Sequence, residues 1–181
     1  MLKFLQHICQ LIMSPGNGWE DISYAGDDPK QLAKVGLYPL FGVAAITAFA
    51  RYFYEDLSFI TVLQYAIVTF VKFFVSYFFA MVVFASTMGQ CVEGEINEKK
   101  YTTVITYSLA IVSIVAIVKN LLPLDLSIID FLYVYVGIVL WKSARYLVVK
   151  DDKLVQFLVM AIISILGVPY ALGAILKFII G

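Results

Sequence analysis

Long apolar stretches without charge recur along the chain, and short polar clusters separate them. Residues 154–176 carry no charge, nor do 101–118 or 35–50, and between Phe59 and Met88 the only charge is Lys72. A hydrocarbon core of about 30 Å takes roughly 20 apolar residues as a helix. Lipid offers the backbone N–H and C=O groups no partner, so they must bond within the segment. The pattern predicts an all-α fold: a polytopic membrane helix bundle of about five transmembrane helices, over about 32–53, 58–90, 101–120, 127–149 and 154–179. Strands of a β-barrel would be shorter and would alternate in polarity. The second segment, about 45 Å long at 1.5 Å per residue, must tilt, kink or protrude.

Ahead of these segments, residues 1–13 read as an amphipathic helix. Lys3, Gln6, His7 and Gln10 form one polar stripe, and Phe4, Leu5, Ile8, Leu11 and Ile12 form the opposite face. Such a helix has two fates: to lie in the headgroup plane with its apolar side down, or to pack on the other helices as a core element. Ser14-Pro15-Gly16-Asn17-Gly18 reads as a turn, not as the cleavage site of a signal peptide, and Trp19 is of a type that favours the membrane interface. Asp28 suits a helix N-cap and Pro29 the first helical position. The chain thus divides into a cytoplasmic amphipathic or interfacial segment, 1–30, and a five-span transmembrane domain, 31–181.

Composition sharpens this picture by exclusion. The chain has 181 residues, 62% of them hydrophobic, with a mean hydropathy of +0.91, which leaves little outside the bilayer. Thirteen basic and thirteen acidic side chains cancel, so no basic stripe exists to neutralise the phosphates of a nucleic acid. Two cysteines and one histidine supply no disulfide framework. His7, Cys9, Cys91 and Glu93 would share one side of the membrane, but without zinc-type spacing, so neither metal nor cofactor is expected. No G-x-S-x-G, H-E-x-x-H or phosphate-cradling glycine loop is present, and the chain is expected not to be an enzyme. Most basic residues fall in the N-terminal segment and the two most charged loops, against Arg51, Lys119 and Lys177 on the other side. That places the N-terminus in the cytoplasm and the C-terminus outside.

Four features are candidates for function. Lys72 lies on a polar stripe with Gln64 and Ser76, flanked by Thr61, Tyr65 and Thr69. It is either an ion, substrate or anionic-lipid contact, or a lysine that snorkels to the interface because the span is shifted. Asp130 either pairs with Lys72 or caps its own helix as the acid of a Ser127-x-x-Asp130 box. Gly167, Pro169 and Gly173 interrupt the fifth span, with a kink expected near Ile165 that either lines a site or only shapes packing. Trp19, Trp141 and Arg145 read as interface anchors. Tyr133, Gly137, Trp141 and Arg145 are spaced by four, which lets Arg145 stack on Trp141.

The segment Ser14-Pro15-Gly16-Asn17-Gly18-Trp19-Glu20-Asp21-Ile22 resembles the "P, then W-x-x-I" entry of bacterial Yip-type membrane proteins. The five-span layout and the Gly167-Val168-Pro169-Tyr170 kink in the last span are similar to that family too. The resemblance implies a helical membrane protein without catalysis, of the short bacterial form, in the cytoplasmic membrane. It would be a scaffold or adaptor in membrane organisation or trafficking-type processes. Its partners would be the lipid bilayer and a membrane or cytoplasmic protein engaging residues 1–30 and the 91–100 loop. Eukaryotic relatives contact Rab-type GTPases. This chain lacks their acidic D-L-x-G-P motif and longer N-terminus, which speaks against GTPase binding. The alternative is a small transporter or channel, as a homo-oligomer, using the polar stripe around Lys72 and the broken fifth helix.

Overall fold

The structure, a computed structural model, describes residues 1–122 and 127–180, with side chains for 1–122 and 131–178. Among these residues the chain forms seven helices: α1 (Leu2–Met13), α2 (Pro15–Ala25), α3 (Pro29–Phe53), α4 (Phe59–Cys91), α5 (Glu98–Leu121), α6 (Ser127–Leu147) and α7 (Asp151–Phe178, helical on to Ile180). Four of them, α3, α4, α5 and α7, are long and apolar enough to cross a membrane. Helix α6 follows the predicted fourth segment and ends at Leu147.

Short polar side chains set where the helices start. The Asp28 carboxylate accepts from the Lys30 amide at 3.3 Å, the Ser58 hydroxyl from Thr61 at 3.1 Å, and the Asn97 carbonyl from Lys100 at 3.1 Å. Each satisfies an amide that has no partner inside the helix.

Helix α5 is the axis of the bundle. Every residue from Tyr101 to Ser113 is buried, with α3, α4, α6 and α7 packed around it. Three of its buried hydroxyls find an acceptor within the helix, while those of Thr102 and Ser108 have no partner among the described residues. Thr103, Thr106 and Ser113 donate to the carbonyl four residues back at 2.7–2.8 Å. Helix α4 shows the converse pattern. Val62, Ala66, Phe73, Tyr77, Ala80 and Phe84 face inward, whereas Leu63, Ile67, Phe70, Phe74, Phe78 and Val82 make an exposed apolar stripe at helical spacing. So continuous an apolar surface suits contact with lipid and not with water.

The first two helices depart from the expected turn at 14–18. Only Ser14 leaves helical geometry (φ −149°, ψ 84°), and α2 begins at Pro15. Proline is pre-set for the first helical position and needs no amide partner there. The two helices form a hairpin packed on the bundle, which is the core fate of the two open to residues 1–13. His7 corrects the predicted stripe: it is buried with Phe4, Ile8 and Leu11, while Lys3, Gln6 and Gln10 stay exposed. Two glycines permit this packing. A Cβ on Gly18 would lie 2.9 Å from the Leu11 amide nitrogen, and one on Gly36 would lie 2.5 Å from the Phe4 ring.

Helices α3 and α7 each contain a π-helical turn, Ala33–Leu37 and Ile163–Gly167. Each turn ends two residues before a proline, Pro39 or Pro169. Proline removes one hydrogen bond and its ring presses on the carbonyl four residues back, and an extra residue in the preceding turn makes room. The kink expected near Ile165 is therefore a widened turn, and α7 continues through it unbroken.

Gly36→Leu is expected to unseat the hairpin and lower stability by about 1–3 kcal/mol. Gly137→Ala, where no neighbouring atom lies within 4 Å of the added methyl, should hold or raise the thermal midpoint. Unfolding in detergent, read beside protease cleavage after Met13, tests both.

Candidate functional site

At the end where the hairpin packs, the chain converges on Tyr107 of α5, which has no exposed surface. The Phe4 ring stacks on it at 5.1 Å between centroids, and Trp19 meets it edge-on at 6.4 Å. His7 Nδ1 and the Tyr107 hydroxyl are hydrogen-bonded at 3.0 Å. The Trp19 indole N–H donates to the Val139 carbonyl of α6 at 3.0 Å, and its ring stacks on Tyr146 at 5.5 Å. The Tyr135 hydroxyl donates to the Ile12 carbonyl. Trp19 is thus no interface anchor: with 2% of its surface exposed, it joins the hairpin to α6. An indole can be buried fully when its one donor finds an acceptor.

The loops beside the hairpin are tied together. The Glu93 amide donates to the Val148 carbonyl and the Lys150 amide to the Cys91 carbonyl, both at 2.9 Å. Helix α6 ends on Val148 in the left-handed region (φ 58°), where glycine or asparagine is usual. The β-branched side chain makes that conformation costly, by about 1–2 kcal/mol. The bond from the Val149 amide to the Ala144 carbonyl (3.0 Å) and the two loop bonds hold it there.

A cleft of about 650 Å³ opens next to this strained residue. Trp19 and Tyr146 contribute to its lining, as do Glu20, Lys142, Arg145 and Asp151, so both signs of charge are present. Trp141 is half exposed at its edge, and the cation over its ring is Lys142, at 4.7 Å, in place of the expected Arg145. Arg145 stands exposed in the cleft wall.

A second cavity, of about 600 Å³, lies at the opposite end of the bundle. Four cations from four helices line it: Arg51 of α3, Lys72 of α4, Lys119 of α5 and Lys177 of α7. Arg51 is held by Glu55 through two bonds of 2.8 and 2.6 Å. The Tyr65 ring is near both the Arg51 guanidinium (4.6 Å) and the Lys177 ammonium (5.2 Å). The Lys72 ammonium lies 5.0 Å from the Phe73 ring centre and that of Lys119 5.9 Å from Tyr133. The wall is held by Asn120, whose side-chain amide donates to the Ala44 carbonyl at 3.2 Å and whose own carbonyl accepts from the Tyr54 hydroxyl.

The polar stripe of α4 does not act as a unit. Lys72 and Thr69 line the cavity, but Gln64 does not, and the Ser76 hydroxyl donates within its own helix to the Lys72 carbonyl at 2.5 Å. The Asp130 side chain lies outside the described residues. Of the residues around the fifth-span kink, Pro169 is buried, Gly167 is exposed, and Gly173 leaves room for the Lys72 stem: a Cβ there would sit 3.6 Å from Lys72 Cδ.

The convergence of Arg51, Lys119 and Lys177 on Lys72 escapes a reading of one helix at a time. It becomes visible when heights are counted from the hairpin end. At 1.5 Å per residue Lys72 stands about 29 Å along α4 from Cys91, Lys119 about 32 Å along α5, Arg51 about 33 Å along α3 and Lys177 about 35 Å along α7 from Leu154. Compared with known proteins, the chain matches no family model, no curated protein and no solved structure.

Tyr107→Phe strands the His7 ring in the core and is expected to cost about 1–3 kcal/mol, as is His7→Leu alone. The double variant, which removes both polar atoms, should recover most of that loss. Equal and additive losses across the three variants would show that the two side chains do not act as a pair.

Proposed function

We propose that the chain is a non-enzymatic integral membrane protein that crosses the bilayer five times, α6 being the remaining span, and works as a scaffold or adaptor. It would sit in a bacterial cytoplasmic membrane with the hairpin end in the cytoplasm, in line with its resemblance to Yip-type proteins. The observation that carries the reading is the cleft beside α2 and α6. It combines an aromatic floor, charges of both signs and a backbone strained at Val148, on a framework fixed by the hairpin. Strained residues held by their surroundings cluster at functional sites, and a mixed-charge rim around aromatic side chains suits a protein segment better than a small solute.

A second reading, a small transporter or channel, takes its support from the cavity around Lys72. Under it, solute flux in proteoliposomes is lost on Lys72→Leu.

The hairpin cannot be removed to test the adaptor reading, because deleting 1–13 strips Phe4, Ile8 and Leu11 from the core. A photo-crosslinking residue at Ser23, in the cleft wall, is the sharper probe. A near-stoichiometric adduct with one protein is expected, lost on Lys142→Glu with Arg145→Glu while the unfolding midpoint stays the same. Recovery of the chain alone, or an adduct indifferent to both charge reversals, refutes the adaptor reading.

A further inference from the structure

We propose that the cavity opposite the hairpin is a binding site for a phosphate-type oxyanion, with Lys72 and Lys177 as its main cationic donors. This goes beyond the adaptor reading and does not depend on it.

The side chain of Lys72 is the first argument. Its neighbours Val71, Phe74 and Val75 are exposed on the apolar side of α4, whereas Lys72 is half-buried, lines the cavity and has its stem beside Gly173. A lysine within an apolar span is costly unless it finds water or a counter-charge. Among the described residues no carboxylate pairs with it, and its ammonium lies 5.0 Å from the centre of the Phe73 ring. Lys177, on an exposed turn near the end of α7, lines the same cavity with its ammonium 5.2 Å from the Tyr65 ring centre. An aromatic face satisfies one side of an ammonium and leaves donors unused.

The second argument is convergence. Like charges gathered in a medium of low dielectric raise one another's energy, and an anion placed among them reverses the sign of the interaction. Arg51 is already committed to Glu55, so it forms wall, and the Thr69 and Tyr170 side chains line the same space as neutral polar groups. Donors that approach from separate helices match the tetrahedral oxygens of a phosphate better than the two coplanar oxygens of a carboxylate. A volume of about 600 Å³ also leaves room for an organic group attached to the phosphate. Two sources share this chemistry: the headgroup of an anionic lipid and a soluble phosphate compound.

The test is a titration of the purified full chain in detergent with phosphatidylglycerol, phosphatidylcholine or inorganic phosphate, followed by thermal unfolding. A saturable rise of the midpoint is expected. Lys72→Gln and Lys177→Gln should each weaken apparent affinity roughly ten-fold, and Lys72→Arg should restore it. Lys30→Gln with Lys34→Gln, at the hairpin end, should have no effect. A response to phosphatidylglycerol alone assigns the site to a lipid headgroup, and a response to inorganic phosphate assigns it to a soluble ligand. No saturable shift with any probe overturns the proposal, as does a shift that Lys30→Gln with Lys34→Gln reduces as much as the cavity variants do. Should Lys72→Gln fail to fold, Lys177→Gln at the end of α7 carries the same test.

Discussion

A phenol buried without a partner in a helix bundle costs about 1–3 kcal/mol, a sizeable part of the margin by which such a bundle is stable. Tyr107 is in that position on α5, and it is His7, from the first turns of the chain, that meets its hydroxyl. Phe4 and Trp19 close over the same ring. The hairpin is consequently a structural member. It fills the bundle where α3, α5 and α6 leave space, and the cleft walls at that end take their positions from it.

The two ends of the bundle handle charge differently. Near the hairpin, acids find polar or basic partners at the surface: Gln10 donates to Asp21 at 2.7 Å, and Lys3 stands 3.8 Å from Asp27. Exposed pairs of this kind add little stability, but they keep that face free of a strong field. At the other end Arg51 is neutralised by Glu55, and Lys72 and Lys177 rest on aromatic rings. Among the described residues that line this recess, four basic side chains face one carboxylate, that of Glu55.

Helices α3, α4, α5 and α7 were legible in the sequence because span length and charge exclusion are physical requirements of the bilayer, and Asp28 and Pro29 marked the start of α3 correctly. Residues whose role depends on a distant partner are not legible in this way. His7 was grouped by polarity with Lys3, yet it is buried because Tyr107 supplies a hydrogen bond from another helix. Trp19 looked interfacial from its type, and a carbonyl 120 residues away takes it inside. Local signals also misled where they competed: Gly16, Asn17 and Gly18 favour a turn, but Pro15 and the close approach to Leu11 favour a helix, and packing decides. Of the four cations of the cavity only Lys72 stands out in the sequence, because shared height across antiparallel helices is not a local pattern.

The contacts that secure the hairpin link positions 7 and 107, 19 and 139, and 12 and 135. At ribosomal speeds of about 5–20 residues per second, the first residues made wait roughly 5–25 s before their partners emerge. During that interval Phe4, Ile8, Leu11 and Trp19 have no core to enter, and their apolar side must be shielded by the membrane surface or by a chaperone. The helix that ends as an internal strut thus spends its nascent life as an exposed amphipathic one, and the hairpin can dock only after α5 and α6 have been made.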